Sequence, residues 1–292
     1  MNKGKLLHFA NKGVLFSIYI FSLGIFTSKF LIYLGMSLSF IFWLLKFSLL
    51  RKRYNFSEIK ILTPILLFLL SIIISGVGDW NNEIVDNKFL YSFIFFFILT
   101  NEIKNYKELK NIIKIIMFSA LIASLYGLYQ HYYLNMNRIN SFSFSLSFGN
   151  LMAVLIIFIT IYLIWGKLSK NKKMLFVFLD IIFILNLIFT RSRGAWLGFI
   201  GAIFILAFIK GKKFLIGTLI VFLIIFLVLP SSYSNRFMSS FDIEYDLDTN
   251  RSNATRIALW ISSLKMFRDN PINGVGYGNF GEAYKLKYQI EG

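Results

Sequence analysis

The stretch Phe189-Thr190-Arg191-Ser192-Arg193-Gly194-Ala195-Trp196 sets two arginines between two apolar runs with almost no loop to hold them. Residues 174–189 precede it and residues 195–209 follow it, both nearly free of charge, so the guanidinium groups fall where a bilayer meets water. Ionisable groups that close to hydrocarbon mark a substrate path or a bound counter-ion. An arginine fork suits a multi-oxygen anion better than a lysine ammonium does. The competing reading is that both side chains snorkel into lipid headgroups. This stretch alone does not decide between them.

Composition sets the class. Of 292 residues, 57% are hydrophobic and 18% aromatic, and only 15% carry charge. That profile is far from a soluble domain and predicts an all-α polytopic transmembrane helix bundle. The absence of cysteine excludes disulfides, thiolate metal sites and cysteine nucleophiles, and two histidines leave little for zinc. Neither a metal nor another cofactor is expected. A net charge of +17 would point to nucleic acid in a soluble protein, but in a membrane chain its distribution over the loops is what matters, and no nucleic-acid partner is expected.

Apolar runs fall at residues 14–28, 30–50, 59–77, 89–100, 112–130, 151–165, 174–189, 195–209 and 214–230, about nine candidate spans. Several are shorter than the ~20 residues that cross a hydrocarbon core, so their helices should extend into flanking polar residues. The first run follows Lys3, Lys5 and Lys12 as in a signal peptide, but no small-residue cleavage site follows and a second run begins at once. An uncleaved first helix is the reading. Residues 1–230 thus form the membrane bundle, and residues 231–292 begin a large, partly helical extracytoplasmic loop.

Orientation follows from lysine and arginine in alternate loops. The N-terminus and the connections at 46–60, 104–114, 167–173 and 210–213 hold 19 of them, whereas the short loops between hold Lys29, Lys88, Arg138, Arg191 and Arg193. The N-terminus is therefore expected in the cytoplasm and the arginine pair outside. The two cations also separate by side. Of the 19 inner residues 17 are lysine, whereas Arg138, Arg191, Arg193, Arg236, Arg251, Arg256 and Arg268 make seven of twelve outside. Lysine satisfies topology, so arginine outside implies a need for guanidinium geometry, with phosphate or diphosphate as the natural ligand.

The outward segment 131–150 places Arg138 among serines, amides and aromatics, which can line a polar cavity or serve as an interfacial aromatic belt. His131 reads as an interfacial side chain rather than a base. Within the membrane Asp180 should turn into the bundle and find a partner. Beyond Pro230, Asp242, Glu244, Asp246 and Asp248 form an acidic cluster without the glycine and final glutamate of a calcium loop, so a solvated loop is expected. Ile257, Trp260, Ile261, Leu264 and Phe267 then fall at helical spacing. They predict an amphipathic helix over about 253–268, capped by Ser252 or Asn253 and ended before Pro271. It would either pack on the protein or lie at the membrane interface. Gly274, Gly276 and Gly278 follow that helix and not a strand, so they read as a tight turn rather than a dinucleotide loop.

Residues 190–196, Arg256 with Trp260 four positions on, and Asn270-Pro271-Ile272-Asn273-Gly274-Val275-Gly276-Tyr277-Gly278-Asn279-Phe280 resemble, in order and spacing, the O-antigen ligase and polymerase family of bacterial membrane glycosyltransferases. Arg138 ahead of Asn150-Leu151 resembles that family's arginine-bearing outer loop; residues 1–130 match in hydropathy alone. The resemblance implies transfer of a glycan from an undecaprenyl-diphosphate carrier to a lipid or glycan acceptor hydroxyl, on the outer face of the bacterial inner membrane. Arg193 and Arg256 match the catalytic arginines, and Arg138, Arg191 and Trp260 would bind substrate. Arg193 and Arg256 are expected to be solvent-accessible, with Arg191 pointing elsewhere. The family's loop histidine has no counterpart between His131 and Gly292. The chain as printed is therefore expected to hold the carrier without transferring from it. Alternative readings are a transporter or flippase of lipid-linked glycans, and a noncatalytic fragment that binds the carrier lipid.

Overall fold

The computed structural model describes residues 3–50, 67, 70, 87–228, 230–239, 247–272, 274–276 and 278–289. Among these residues the chain is helical, with no strand. The helices are α1 (Lys3–Thr27), α2 (Lys29–Leu50), α3 (Asn87–Glu102), α4 (Tyr106–Tyr132), α5 (Ser145–Trp165), α6 (Lys170–Phe189), α7 (Arg193–Lys210), α8 (Lys212–Val228), α9 (Ser231–Met238), α10 (Leu247–Asp269) and α11 (Phe280–Ala283), with a π-helical turn at Tyr284–Tyr288. The expected run at 59–77 lies outside the described residues, apart from Leu67 and Leu70, and so do Asp242, Glu244 and Asp246 of the acidic cluster.

Among the described residues, five helices are long and apolar enough to cross a membrane: Lys3–Thr27, Lys29–Leu49, Tyr106–Tyr132, Ser145–Trp165 and Arg193–Lys210. The expected count of nine goes beyond this. α6 opens with three lysines and carries Asp180, and α8 has 17 residues, so neither reaches the same standard of length and low charge. Two of the short apolar runs lie within longer helices, as length requires. The run at 151–165 becomes Ser145–Trp165, and that at 112–130 becomes Tyr106–Tyr132. Large apolar side chains such as Phe16, Phe30, Phe158 and Phe208 stand exposed on these helices. That suits a helix whose outer face meets lipid rather than water.

The chain divides into two compact units, one of Met1–Leu49 with Phe95–Met238, the other of Leu50–Ile94 with Ser239–Gly292. In the first, α1 packs along α4, while α5 packs on both α6 and α7, and α7 on α8. The core runs through Phe148, Met152, Ile156, Phe183, Leu187 and Trp196. Asp180 does turn inward and accepts a hydrogen bond from Thr160 Oγ1 at 3.3 Å. Lys46 pairs with Glu102 at 2.6 Å between α2 and α3. At one end of this unit the 133–144 loop meets the 190–192 turn; at the far ends of α5 and α7, Lys210 lies over the Trp165 ring, joining two lysine-rich connections.

In the second unit α10 begins at Leu247, six residues before the expected start, and ends at Asp269 just ahead of Pro271. Its buried side chains are Ala254, Ala258, Ser262 and Met266, each four residues from the last. Gly274, Gly276 and Gly278 take left-handed φ values of 67°, 89° and 84°, which makes the expected tight turn. The chain then returns to α10, where Ser262 Oγ donates to the Tyr288 carbonyl at 2.6 Å. Tyr288 Oη and Lys287 Nζ donate to Asp269 Oδ2 at 2.8 and 3.1 Å. These two bonds hold the Asp269 carboxyl below the usual carboxylate range, so the tie is complete at neutral pH and is lost as pH falls through that lowered value.

Candidate functional site

The 190–192 turn is built from both sides. Thr190 ends α6 with its hydroxyl donating to the Leu187 carbonyl at 2.7 Å and accepting from the Ser192 amide at 3.3 Å. Trp196, in the first turn of α7, donates its indole N–H to the same Leu187 carbonyl at 2.9 Å. α5 presents Gly149 to the turn. A Cβ built at 149 would lie 2.9 Å from Thr190 Oγ1, 3.1 Å from Ser192 Cβ and 3.3 Å from Ala195 Cβ, so only glycine admits this approach.

Arg191 occupies the left-handed region, with φ of 49°. A non-glycine residue there loses about 1–2 kcal/mol, and such strain collects at functional sites. Its guanidinium carbon stands 4.6 Å from the centre of the Tyr233 ring, and its buried Nε meets no acceptor among the described residues. Tyr233 is buried on α9, the short helix after Pro230. One turn on, Arg236 approaches from the same helix. Burial first, then the charges of Arg138 and Arg191, hold the Arg236 guanidinium below the usual arginine value.

Arg138 completes the group from the 133–144 loop, with its Nε donating to the Thr190 carbonyl at 3.1 Å. That loop is pinned by one side chain. Buried Gln130 accepts the Asn140 and Ser141 amides on Oε1 at 3.2 and 2.8 Å, and its Nε2 donates to Asn140 Oδ1 at 2.8 Å and to the Ser141 carbonyl at 3.4 Å. Ser141 Oγ donates to the Ala123 carbonyl, and the Ile139 amide to the Phe189 carbonyl. Replacing Gln130 with leucine removes the partner of two backbone amides, the Ser141 carbonyl and Asn140 Oδ1. The protein should lose about 2–4 kcal/mol, read as a lowered unfolding midpoint in detergent, together with binding that depends on Arg138. An unchanged midpoint would mean that the loop holds its shape without Gln130.

His131 stacks on Phe189 with ring centres 3.8 Å apart, and its Nδ1 lies 3.2 Å from the Met136 carbonyl. A carbonyl only accepts, so Nδ1 carries the proton, and the side chain packs at the helix end as expected.

Of the residues predicted from sequence, Arg138 and Arg191 come together. Arg236 and Tyr233, which had not been assigned to the site, join them. Arg193 departs from expectation: it is 6% exposed, not solvent-accessible, because it starts α7 on the inner side of the turn. Arg191, expected to point elsewhere, faces the other arginines. Arg256 and Trp260 stand exposed on α10 in the second unit.

An apolar cavity of about 590 Å³ opens beside the cluster, lined by Leu187, Trp196, Phe199, Leu223, Tyr233 and Phe237 among others. Tyr233 belongs to both features, one face of its ring under Arg191 and its body in the cavity wall. The arrangement offers concentrated positive charge next to a hydrocarbon surface. That is the complement of an amphiphile with a polyanionic head.

No curated protein and no solved structure matches the chain. Residues 178–292, which hold the arginine turn, Tyr233, Arg236 and the whole of α10, match the model of the O-antigen ligase family, in agreement with the resemblance carried by the motifs.

Proposed function

We propose that this protein transfers a glycan from an undecaprenyl-diphosphate carrier to an acceptor hydroxyl, in the manner of an O-antigen ligase or polymerase, at the outer face of the bacterial inner membrane. The reading gives the chain about nine spans, a cytoplasmic N-terminus and an outer loop that begins at Pro230. The observation that carries it is the sharing of Tyr233 between the arginine cluster and the apolar cavity. Arg138, Arg191 and Arg236 receive the diphosphate while the first isoprene units lie along Trp196 and Phe199.

In the reaction the acceptor oxygen bonds to the anomeric carbon as the bond from that carbon to the phosphate oxygen breaks. The diphosphate leaves with the electron pair, and the guanidinium groups stabilise the charge that develops on it. The acceptor proton passes to a base, which the resemblance places in the outer loop. Arg193, at the family's serine-arginine-glycine position, and Arg256 with Trp260 on α10 are proposed as catalytic or substrate-binding residues. For these three the support is the motif. Buried Arg193 fits the part of fixing the turn from within.

Binding tests the reading directly. Purified protein in nanodiscs should bind an undecaprenyl-diphosphate saccharide, and Arg138→Gln and Arg236→Gln should each weaken that binding by about tenfold or more, the worth of one charged hydrogen bond. Undecaprenol, which lacks the diphosphate, should compete poorly. Variants that bind like wild type would remove the cluster from the function.

A further inference from the structure

The periodicity of α10 announces an apolar stripe, and the structure turns that stripe outward. Trp260 is 69%, Leu264 68% and Phe267 65% exposed, with Ile261 also exposed. The opposite face is already occupied, since Ala254, Ala258, Ser262 and Met266 are buried and Ser262 is bonded to the Tyr288 carbonyl. The helix therefore has a finished inner side and an unfinished outer one. At about 100° per residue, Arg256 falls roughly 40° to one side of Trp260 and Arg268 roughly 80° to the other. Both arginines are exposed, so the stripe of Trp260, Leu264 and Phe267 is bordered by cations on each edge, with Ile261 just beyond Arg268.

We infer that α10 docks on the lipid bilayer itself, lying in the surface plane with Trp260, Leu264 and Phe267 among the upper acyl chains and Arg256 and Arg268 at the phosphates. An apolar face flanked by basic residues, with tryptophan at the boundary, is the pattern of an interfacial helix. With α8 as a span, as the proposed reading has it, the membrane is always near, because α8 ends at Val228 and α10 starts at Leu247, which makes the second event intramolecular. A second copy fits poorly: pairing two such stripes would bring the bordering arginines of one against those of the other, whereas anionic headgroups complement them. The inference shares Arg256 and Trp260 with the motif-based assignment above but not the arginine cluster, and its test reads contact with lipid, not binding of the carrier.

The chain has no cysteine, so one probe can be placed at will. Leu264→Cys and Thr255→Cys, the second half a turn round the helix on an exposed position, would each be labelled with an environment-sensitive fluorophore. The 292-residue protein would then be reconstituted into phosphatidylcholine vesicles with and without phosphatidylglycerol. A nitroxide carried near the top of the acyl chain should quench the probe at 264 several-fold more than the probe at 255, more than a nitroxide at the chain end does, and more strongly when phosphatidylglycerol is present. Equal weak lipid quenching at both positions with free access of iodide to 264 would overturn the proposal. So would self-quenching at 264 that grows with protein density, which would assign the stripe to a second copy, and protection of 264 from both quenchers, which would assign it to protein.

Discussion

Exchanging Arg191 for lysine should lower affinity for an undecaprenyl-diphosphate saccharide by about 10- to 100-fold, the loss of one or two charged hydrogen bonds. The charge is kept in this variant; what goes is the planar fork and its stacking on Tyr233 at 4.6 Å. The fold should be little affected, because lysine carries the same left-handed strain. Calorimetric titration against the carrier, with an unfolding curve for the same sample, separates the two effects. The sequence points to the neighbour, Arg193, as the residue that meets the diphosphate. Arg193→Lys is therefore the comparison. If it abolished binding with folding intact while Arg191→Lys bound normally, the assignment within the pair would reverse.

The second large effect is expected at Gly149. Valine there would drive its Cβ and two further methyl groups toward Thr190 Oγ1, Ser192 Cβ and Ala195 Cβ, which stand 2.9–3.3 Å from the first added carbon alone. None of the three can swing away cheaply: the Thr190 hydroxyl is bonded on both sides, and Ser192 and Ala195 are fixed by the start of α7. The turn has to move off α5, at about 1–3 kcal/mol or more for overpacking, and the bond from Arg138 Nε to the Thr190 carbonyl moves with it. Stability and carrier binding should fall together. Gly198→Ala is the control, since a Cβ there meets nothing within 4 Å. It should be neutral or slightly stabilising through helix propensity. Equal behaviour of the two variants would show that the helix contact is looser than described.

Much of the fold was open to reading from the sequence because lipid and protein interiors make the same demand on a helix, an unbroken apolar run. The same fact explains what stayed hidden. Periodicity on α10 identified a helix and its apolar face, but periodicity carries no sign, and the face that looks made for the core is the exposed one. Small residues, Ala254, Ala258 and Ser262, do the inward packing instead. Arg138 and Arg191 were legible as arginines beside the ends of apolar helices. Arg236 was counted among the outer cations, yet nothing in the chain says that an eight-residue helix after Pro230 brings it and Tyr233 beside them. Gln130 gave no signal at all, because most of its partners are backbone groups, which every residue has.

Gln130 also bears on how the proposed site would take up its ligand. A loop tied at four points is ordered before any ligand arrives, so the entropy of fixing it is lost at folding and not again at each encounter. Amides of Asn140 and Ser141 should already resist hydrogen exchange in the empty protein. On the proposed reading, the approach of the carrier would be a search in two dimensions, governed by lateral diffusion of a lipid to an open cavity mouth. Association should follow bilayer viscosity, with no additional phase from closure of the 133–144 loop.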